Sequence, residues 1–394
     1  MPNVLVYRNE LLPPSETFIQ AQAASLRRYT PHFVGLRTAK PSLLDPKHCT
    51  LIEPSSRLPH AVRSLGYRYL GLQPWLHDGQ LLHDLRALDA ALMHVHFATD
   101  GLTAYPLAAA LQIPLIVTLH GYDVTMQQVG RNPLRSAAHR FRLGALQQRA
   151  DVFLCVSEFI RRKALAAGFP ERKLLVHHIG IDTDIFKPTR SCNRNNNVLF
   201  VGRLTEKKGC AYLIRAMVQV QRHVPSAKLI VIGEGQLRSS LQTLAECLHV
   251  ECEFLGRQDH LSVRRHIAEA RLCAVPSVTA ANGDSEGLPM FLAEAQGLGV
   301  PVVATHHAGI HEGIVDGSAG LLSAERDVPQ LAANILRVLG DDALHADLSR
   351  RGVELVKREF DLSLQTQALE SIYDTVAFGA TDQGKSFCKA RATA

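Results

Sequence analysis

Two glutamates, an arginine and a lysine are spaced so that they can do one kind of chemistry together. In VPSVTAANGDSEGLPMFLAEAQGLGVPVVAT, Val275 to Thr305, the pattern predicts a strand ending at Pro276 and a polar loop to Ser285. A helix is then expected from Glu286-Gly-Leu-Pro to Gly297 or Gly299. Pro289 suits a first helical turn, where its missing N–H would be unpaired anyway, and Gly287 admits close approach to the backbone. Glu286 would sit at the helix entrance and Glu294 two turns in, on the order of 12 Å away at ~1.5 Å per residue. The free N–H groups and positive dipole end between them form a phosphate seat. Carboxylates bind hydroxyls, so the set fits a nucleotide-sugar. A glutamate that only favours the dipole, followed by a solvated helical glutamate, would read the same way.

A second segment shifts that balance. In NVLFVGRLTEKKGCAYLIRAM a strand ends at Gly202, followed by Arg203, a polar turn, Lys208 and Gly209 before a helix. Arg203 and Lys208 flank one turn at the carboxyl end of a strand, where a guanidinium fork and a mobile ammonium could clamp a diphosphate. LIVIGEGQLRSSL adds a strand and a tight turn, Gly233-Glu-Gly235, a weaker signal because many Rossmann-like units share it.

The elements that must position these residues follow from the periodicity. Short β-branched runs, NVLVY (3–7), HFVGL (32–36), HVHFA (94–98), PLIVTLH (114–120), VFLCVS (152–157) and LLVHHI (174–179), alternate with helical patterns such as Ser15 to Arg28, Gly101 to Gln112 and Ser157 to Ala167. That alternation predicts parallel sheets wound with helices. After Lys187-Pro188 comes TRSCNRNNN, turn-rich and aperiodic, and the alternation restarts with NVLFVG, AKLIVIG, CEFLG, LCAVPS and PVVAT. This reads as a domain boundary. Helices are expected over Val328 to Leu339, Asp342 to Phe360 and Leu362 to Phe378. Two doubly wound domains would offer ligands a cleft at the carboxyl ends of their strands.

Composition sets limits on the partner. With 394 residues, 46% hydrophobic and 20% charged, the chain is neither disordered nor a single small module. Residues 1–187 hold 21 basic and 14 acidic side chains against 22 and 23 in the rest, so the first half faces an anionic partner or is a scatter of solvated arginines. Arg131, Arg135, Arg140, Arg142 and Arg149 enclose only one aromatic, Phe141; Arg161, Arg162 and Lys163 follow soon after, and no nucleic-acid motif accompanies them. Anionic lipid headgroups or a lipid diphosphate are the better functional reading. The eight cysteines form no C-x-x-C pair and read as reduced thiols of an intracellular protein. MPNVLVYRNELLPP is too short in apolar residues for a signal-peptide core, and the stretch Ala104 to Leu119 is too broken to span a bilayer. Any membrane contact is expected to be peripheral.

GRLTEKKG, GEG, FLGR, EGLPMFLAEAQGLGVPVVAT and AGIHEGIVDGSAGLL, with TLHGYDVT, VSEFIRRKAL and IGIDTDIFKP in the first half, resemble glycosyltransferase family 4, retaining enzymes of the GT-B fold. SETFIQAQ is similar to a bacterial subgroup of exopolysaccharide and capsule assembly. The resemblance implies an α/β fold of two Rossmann-like doubly wound parallel-sheet domains facing a central cleft. The acceptor domain would be 1–187 and the donor domain 188–360, with a helix over 361–378 packing back on the first domain and a disordered tail at 379–394. It also implies a hexose moved from a nucleoside diphosphate sugar to a carbohydrate or lipid-linked oligosaccharide acceptor, at the cytoplasmic side of the membrane. No cofactor, metal or nucleic acid is implied.

Carried over by residue, the resemblance implies that Glu286 meets the donor hexose and Glu294 the ribose hydroxyls. Arg203 and Lys208 would hold the diphosphate, Gly287 and Leu288 offer backbone amides, and His120 reach the transferred sugar. Gly233 and Arg257 complete the donor set. Two features depart from the family: RNELLPPS (Arg8 to Ser15) replaces a glycine-rich loop, and Ile179 replaces the usual asparagine. A sugar-nucleotide 2-epimerase and an inactive binding subunit are the alternatives on the same fold. Asp182-Thr-Asp184 fits a metal-binding D-x-D pattern but lies in the hinge-like IGIDTDIFKP. His94-x-His96, His177-His178 and His306-His307 lack further ligands at metal spacing and are expected as satisfied strand or loop histidines.

Overall fold

The computed structural model describes residues 1–11, 13, 16–39, 45–52, 79–121, 124, 133–188 and 195–379. The chain forms two compact units, one of Met1–Val156, Ile160–Gly180 and residues 362 onward, the other of Ser157–Phe159 and Ile181–Asp361. Cys192, Cys388, Arg131, the side chain of Arg135 and the 380–394 tail lie outside the described residues.

The first unit is built on seven parallel strands: β1 (Asn3–Leu11), β2 (Thr30–Thr38), β3 (Cys49–Leu51), β4 (Ala90–His96), β5 (Leu115–Leu119), β6 (Val152–Cys155) and β7 (Leu174–Val176). Their order is β3-β2-β1-β4-β5-β6-β7, so the chain reverses direction between β1 and β4. Helices cover the sheet, and its middle strands are accordingly buried and mostly apolar; all five residues of β5 are buried. The Leu362–Phe378 helix is part of this unit, with Leu369 and Tyr373 packed among Val4, Val6, Ile116 and Leu154. Its Glu370 carboxylate accepts the backbone N–H groups of Arg27 (2.7 Å) and Arg28 (2.6 Å), where the helix Thr17–Ala24 has ended. That helix is shorter than the expected Ser15 to Arg28.

The second unit repeats the plan with six parallel strands: β8 (Val198–Val201), β9 (Leu229–Ile232), β10 (Cys252–Gly256), β11 (Leu272–Val275), β12 (Val302–Thr305) and β13 (Leu321–Ser323). The order β10-β9-β8-β11-β12-β13 places the reversal between β8 and β11. On one face Leu213 and Met217 of the Cys210–His223 helix pack with Ile335 and Val338 of the Val328–Gly340 helix. The latter starts where Asp327 accepts Gln330 N–H at 3.0 Å, with a proline in its first turn. Its Leu331, Ile335, Val338 and Leu339 recur at helical spacing, each buried side chain contributing ~1.5–3 kcal/mol. On the other face Ile267, Leu292, Ala295 and Val356 close the core.

Every expected run appears as a strand, and β3 and β13 are two further strands that were not expected. Those two are three residues each, too short to carry a period. The fold class is therefore the expected one: two doubly wound parallel sheets.

Candidate active site

Ligands of doubly wound sheets bind at the carboxyl ends of the strands where the order reverses. In the second unit that point is formed by the loops after β8 and β11. The β8 loop runs through Gly202, an exposed Arg203, buried Leu204, a short 3-10 turn Glu206–Lys208 and Gly209. Gly233, after β9, has φ of 141° and lies so close to Gly202 that a Cβ would stand 1.9 Å from its carbonyl oxygen. Only glycine fits there.

The loop after β11 departs from the expected course. The helix is Met290–Gly297, with Pro289 as its N-cap residue at φ −67° and ψ 121°, outside the helix rather than in its first turn. Glu286 therefore lies in the loop and Glu294 in the helix, and the ~12 Å reckoned along one helix does not apply. The physical reason is local: Leu288, preceding a proline, is biased toward extended backbone, and side chains hold the segment before it. Lys207 Nζ donates to Ser285 O at 3.4 Å, and Glu286 N–H donates to His307 Nε2 at 3.2 Å.

The turn aims two consecutive lysines at two carboxylates of the other loop. Lys207, 7% exposed, donates to Asp284 Oδ1 at 3.1 Å, and Lys208 Nζ lies 3.2 Å from Oε1 of Glu286, itself 7% exposed. The second contact is an ion pair without hydrogen-bond alignment, so the buried Oε1 keeps an unused acceptor. Burial alone would push the Glu286 carboxyl up; Lys208, then Lys207, outweigh it and hold the carboxyl below its ordinary value. Buried hydroxyls of Thr205 and Ser277, on the same two loops, also lack partners. The backbone N–H groups of Gly287 and Leu288 donate no hydrogen bond among the described residues.

Arg203 makes no ion pair or side-chain hydrogen bond among the described residues, and neither does the exposed Arg257 after β10. Glu294, in the Met290–Gly297 helix, stands 3.8 Å from His260 Nε2 and raises that imidazole's pKa. Lys207 and Asp284 escaped the sequence reading; the signal was the doubled lysine, which in a 3-10 turn sends neighbours to different partners.

The reversal in the first unit, between β1 and β4, holds a different set. Arg8, 9% exposed, lies between Glu16 Oε2 (2.6 Å) and Asp100 Oδ2, and its guanidinium stacks 4.4 Å over the Phe97 ring. Asp100 also accepts the Asn9 backbone N–H (2.8 Å) and side-chain amide (2.9 Å). Burial raises both carboxyls against the pull of Arg8. His120 directly follows β5, with Nε2 at 3.2 Å from His96 Nδ1 and its ring 4.3 Å from that of Phe97. Burial depresses both imidazoles well below their ordinary value. Sequence reading found His120 here but not Arg8, Glu16 or Asp100, although Arg8 directly follows the apolar run Val4–Tyr7 within β1 and Asp100 lies in the first turn of the helix after β4.

Of the set-aside histidines, His306 stacks on the His311 ring and the others are hydrogen-bonded. His94 joins Tyr373 OH (2.6 Å) and Thr118 Oγ1 (2.7 Å), and His177 Nε2 meets Gln365 O at 3.0 Å. Asp182 Oδ1 caps its own turn, accepting N–H from Asp184 (2.9 Å) and Ile185 (3.2 Å). Among the described residues no three His, Cys, Asp or Glu side chains gather as metal ligands, and no described helix is long and apolar enough to cross a membrane.

Two Rossmann-like units of this kind define the GT-B class. The fold matches that of Anabaena HepE solved in complex with UDP-glucose, with TM-score 0.76 at 18% identity over 95% of this chain and 99% of that one. It also matches sucrose-phosphate synthase from Thermosynechococcus elongatus, with TM-score 0.75 at 19% identity over 96% and 100%. In sequence, "Glycosyltransferase Family 4" matches residues 16–185 and "Glycosyl transferases group 1" residues 195–341. The putative colanic acid biosynthesis glycosyltransferase of Escherichia coli K12 is 30% identical over 70% of this chain and 68% of its own. The amylovoran biosynthesis glycosyltransferase of Erwinia amylovora is 29% identical over 73% and 71%. The chain belongs to glycosyltransferase family 4 and is an enzyme of that family.

Proposed function

We propose that this enzyme transfers a hexosyl group, with retention, from a nucleoside diphosphate sugar to a carbohydrate acceptor carried on a lipid, in the assembly of a surface polysaccharide. The observation that carries the reading is the buried, ionised Glu286 with an unused acceptor at Oε1, set beside Lys208 at the sheet reversal. Such a carboxylate receives a sugar hydroxyl, and the unpaired amides of Gly287 and Leu288 face the need of a phosphate or sugar oxygen. Arg203 and Lys208 neutralise the charge that grows on the departing diphosphate, a preorganised electrostatic contribution. Glu294 takes the ribose hydroxyls, and Gly233 and Arg257 border the nucleotide. The bond from the anomeric carbon to the diphosphate oxygen breaks as the acceptor oxygen bonds to that carbon on the same face. The acceptor's proton passes to the departing phosphate oxygen, so no protein base is required.

The names of the Escherichia and Erwinia relatives, glycosyltransferases of colanic acid and of amylovoran biosynthesis, support a role in polysaccharide assembly. The first unit forms the acceptor domain and the second the donor domain, acting at the cytoplasmic face of the membrane. Phe141, 79% exposed between Arg140 and Arg142 on the Pro133–Arg149 helix, suits contact with anionic lipid. Co-sedimentation with anionic but not neutral liposomes, released by salt, is expected; equal binding to both would defeat that contact.

The decisive experiment is a panel of UDP-, GDP- and ADP-sugars scored for slow hydrolysis and for thermal stabilisation of the protein. One nucleotide should stabilise the enzyme and its sugar should be hydrolysed with the anomeric configuration kept. A protein indifferent to every member, or one that converts a donor to its 2-epimer, would overturn the proposal.

A further inference from the structure

We infer that His307 and Glu325 form a positioning pair that sets the direction of Glu286, with the imidazole locked as its Nδ1–H tautomer. The inference rests on the reading of Glu286 as the group that meets the transferred sugar.

His307 follows β12 and is 2% exposed. Its Nδ1 lies 2.6 Å from Glu325 Oε1, and its Nε2 lies 3.2 Å from the backbone nitrogen of Glu286. A backbone N–H only donates, so Nε2 must carry the lone pair. The ring proton then sits on Nδ1 and is donated to the carboxylate, the one assignment in which both bonds form. Burial would raise the Glu325 carboxyl, but His307 and Thr279 hold it below its ordinary value, so it serves as the acceptor.

Glu325 lies just beyond β13 and is itself anchored. Its Oε2 accepts Thr279 N–H at 2.8 Å and its Oε1 accepts Thr279 Oγ1–H at 3.1 Å, while Arg326 Nη1 stands 3.3 Å away. Thr279 and Glu286 belong to the same loop after β11. One carboxylate thus pins that loop at two points, directly at Thr279 and through the imidazole at Glu286. Glu286 has no helix to orient it, because the helix starts only at Met290. Its backbone direction comes from the His307 bond on one side and from Gly309 on the other, where a Cβ would stand 2.1 Å from Gly287 O. The neighbouring amides of Gly287 and Leu288 donate no hydrogen bond among the described residues.

A histidine that merely supports folding would lower stability and affect nucleotide binding and turnover alike. A positioning residue acts on turnover, because small misplacement of a reacting group costs rate more than affinity. Glutamine at this position offers an oxygen acceptor and an amide donor; leucine offers neither.

The test uses the full chain, ¹⁵N-labelled at histidine, and the nucleotide-sugar selected by the panel above. Long-range ¹H–¹⁵N spectra should show His307 as the neutral Nδ1–H tautomer, assigned by its loss in His307→Gln. His307→Leu should lower kcat for donor hydrolysis by about 10- to 100-fold with little change in calorimetric affinity for the free nucleoside diphosphate. His307→Gln should recover most of that rate. An Nε2–H tautomer, unchanged kcat in His307→Leu, or equal loss of kcat and affinity with no recovery by glutamine would overturn the pair. Should the leucine variant not fold, the wild-type tautomer still decides. Glu286→Gln separates the two readings: wild-type hydrolysis in that variant sinks the role of Glu286 itself, whereas its inactivity beside a fully active His307→Leu sinks only the pair.

Discussion

The α-carbon of Gly209 packs against the carbonyl oxygen of Pro276, so closely that a Cβ on Gly209 would stand 1.8 Å from that oxygen. Gly209 also holds φ at 68°. This contact seats the β8 loop, with Arg203 and Lys208, directly on the start of the β11 loop that carries Glu286. Gly209→Ala should cost on the order of 2–4 kcal/mol through left-handed strain and forced separation of the loops. Donor hydrolysis should fall with it. Denaturant unfolding checks the first effect; a midpoint equal to wild type would show that the loops need not touch.

Arg203→Ala and Lys208→Met should each weaken binding of the free nucleoside diphosphate, since a charge-assisted bond to phosphate is worth ~1.5–3 kcal/mol. Lys208→Met carries a further effect, because it strips Glu286 of its nearest cation. Calorimetry that finds both variants binding as tightly as wild type would place the diphosphate elsewhere.

Glu286 has a pH signature with a definite sign. Its carboxyl is held below the ordinary value of 4.5, so ionisation stabilises the folded protein above that value, and the contribution is lost as pH falls through the lower folded value. Removing Lys208 leaves burial less opposed and raises the carboxyl. The acid limb of donor hydrolysis should therefore move to higher pH in Lys208→Met than in wild type. An unmoved limb would mean that another group limits the rate in acid.

The buried histidines of the first unit act in acid too. Burial lowers His94 from 6.5 to about 3 and depresses His96 and His120 well below 6.5. Each stays neutral in the folded unit while its unfolded counterpart takes a proton, so stability falls as pH drops below 6.5, by about 1.4 kcal/mol per pH unit per histidine at most. His94→Gln should remove its share of that slope. Urea unfolding followed by circular dichroism between pH 4 and 7 measures it, and an unchanged slope in the variant would refute the assignment.

Chelation separates the cationic clamp from a metal. If Arg203, Lys208 and the backbone amides of Gly287 and Leu288 meet the phosphate charge as proposed, donor hydrolysis should persist in EDTA. Complete loss, restored by manganese or magnesium, would return Asp182 and Asp184 to the list of ligands.

Strand and helix order was legible in the chain because period and length survive in one dimension: the β-branched runs and the three closing helices need only local pattern to be read. Glu286, Arg203 and Lys208 could be singled out because glycines and strand ends mark their turns. What one dimension cannot express is which loops meet. Strand order, set by burial of both sheet faces, brings the turns after β8 and β11 together across some 70 to 80 intervening residues. Only then does Lys207 find Asp284, and Lys208 Glu286. The start of the helix at Met290 has a local cause, the extended bias of Leu288 before Pro289, and a tertiary one, the bonds that Lys207 and His307 make to the segment before it. Arg8, Glu16 and Asp100 were invisible for the same reason: ionic side chains read as surface in a sequence, and become a buried network only where the β1 and β4 ends converge.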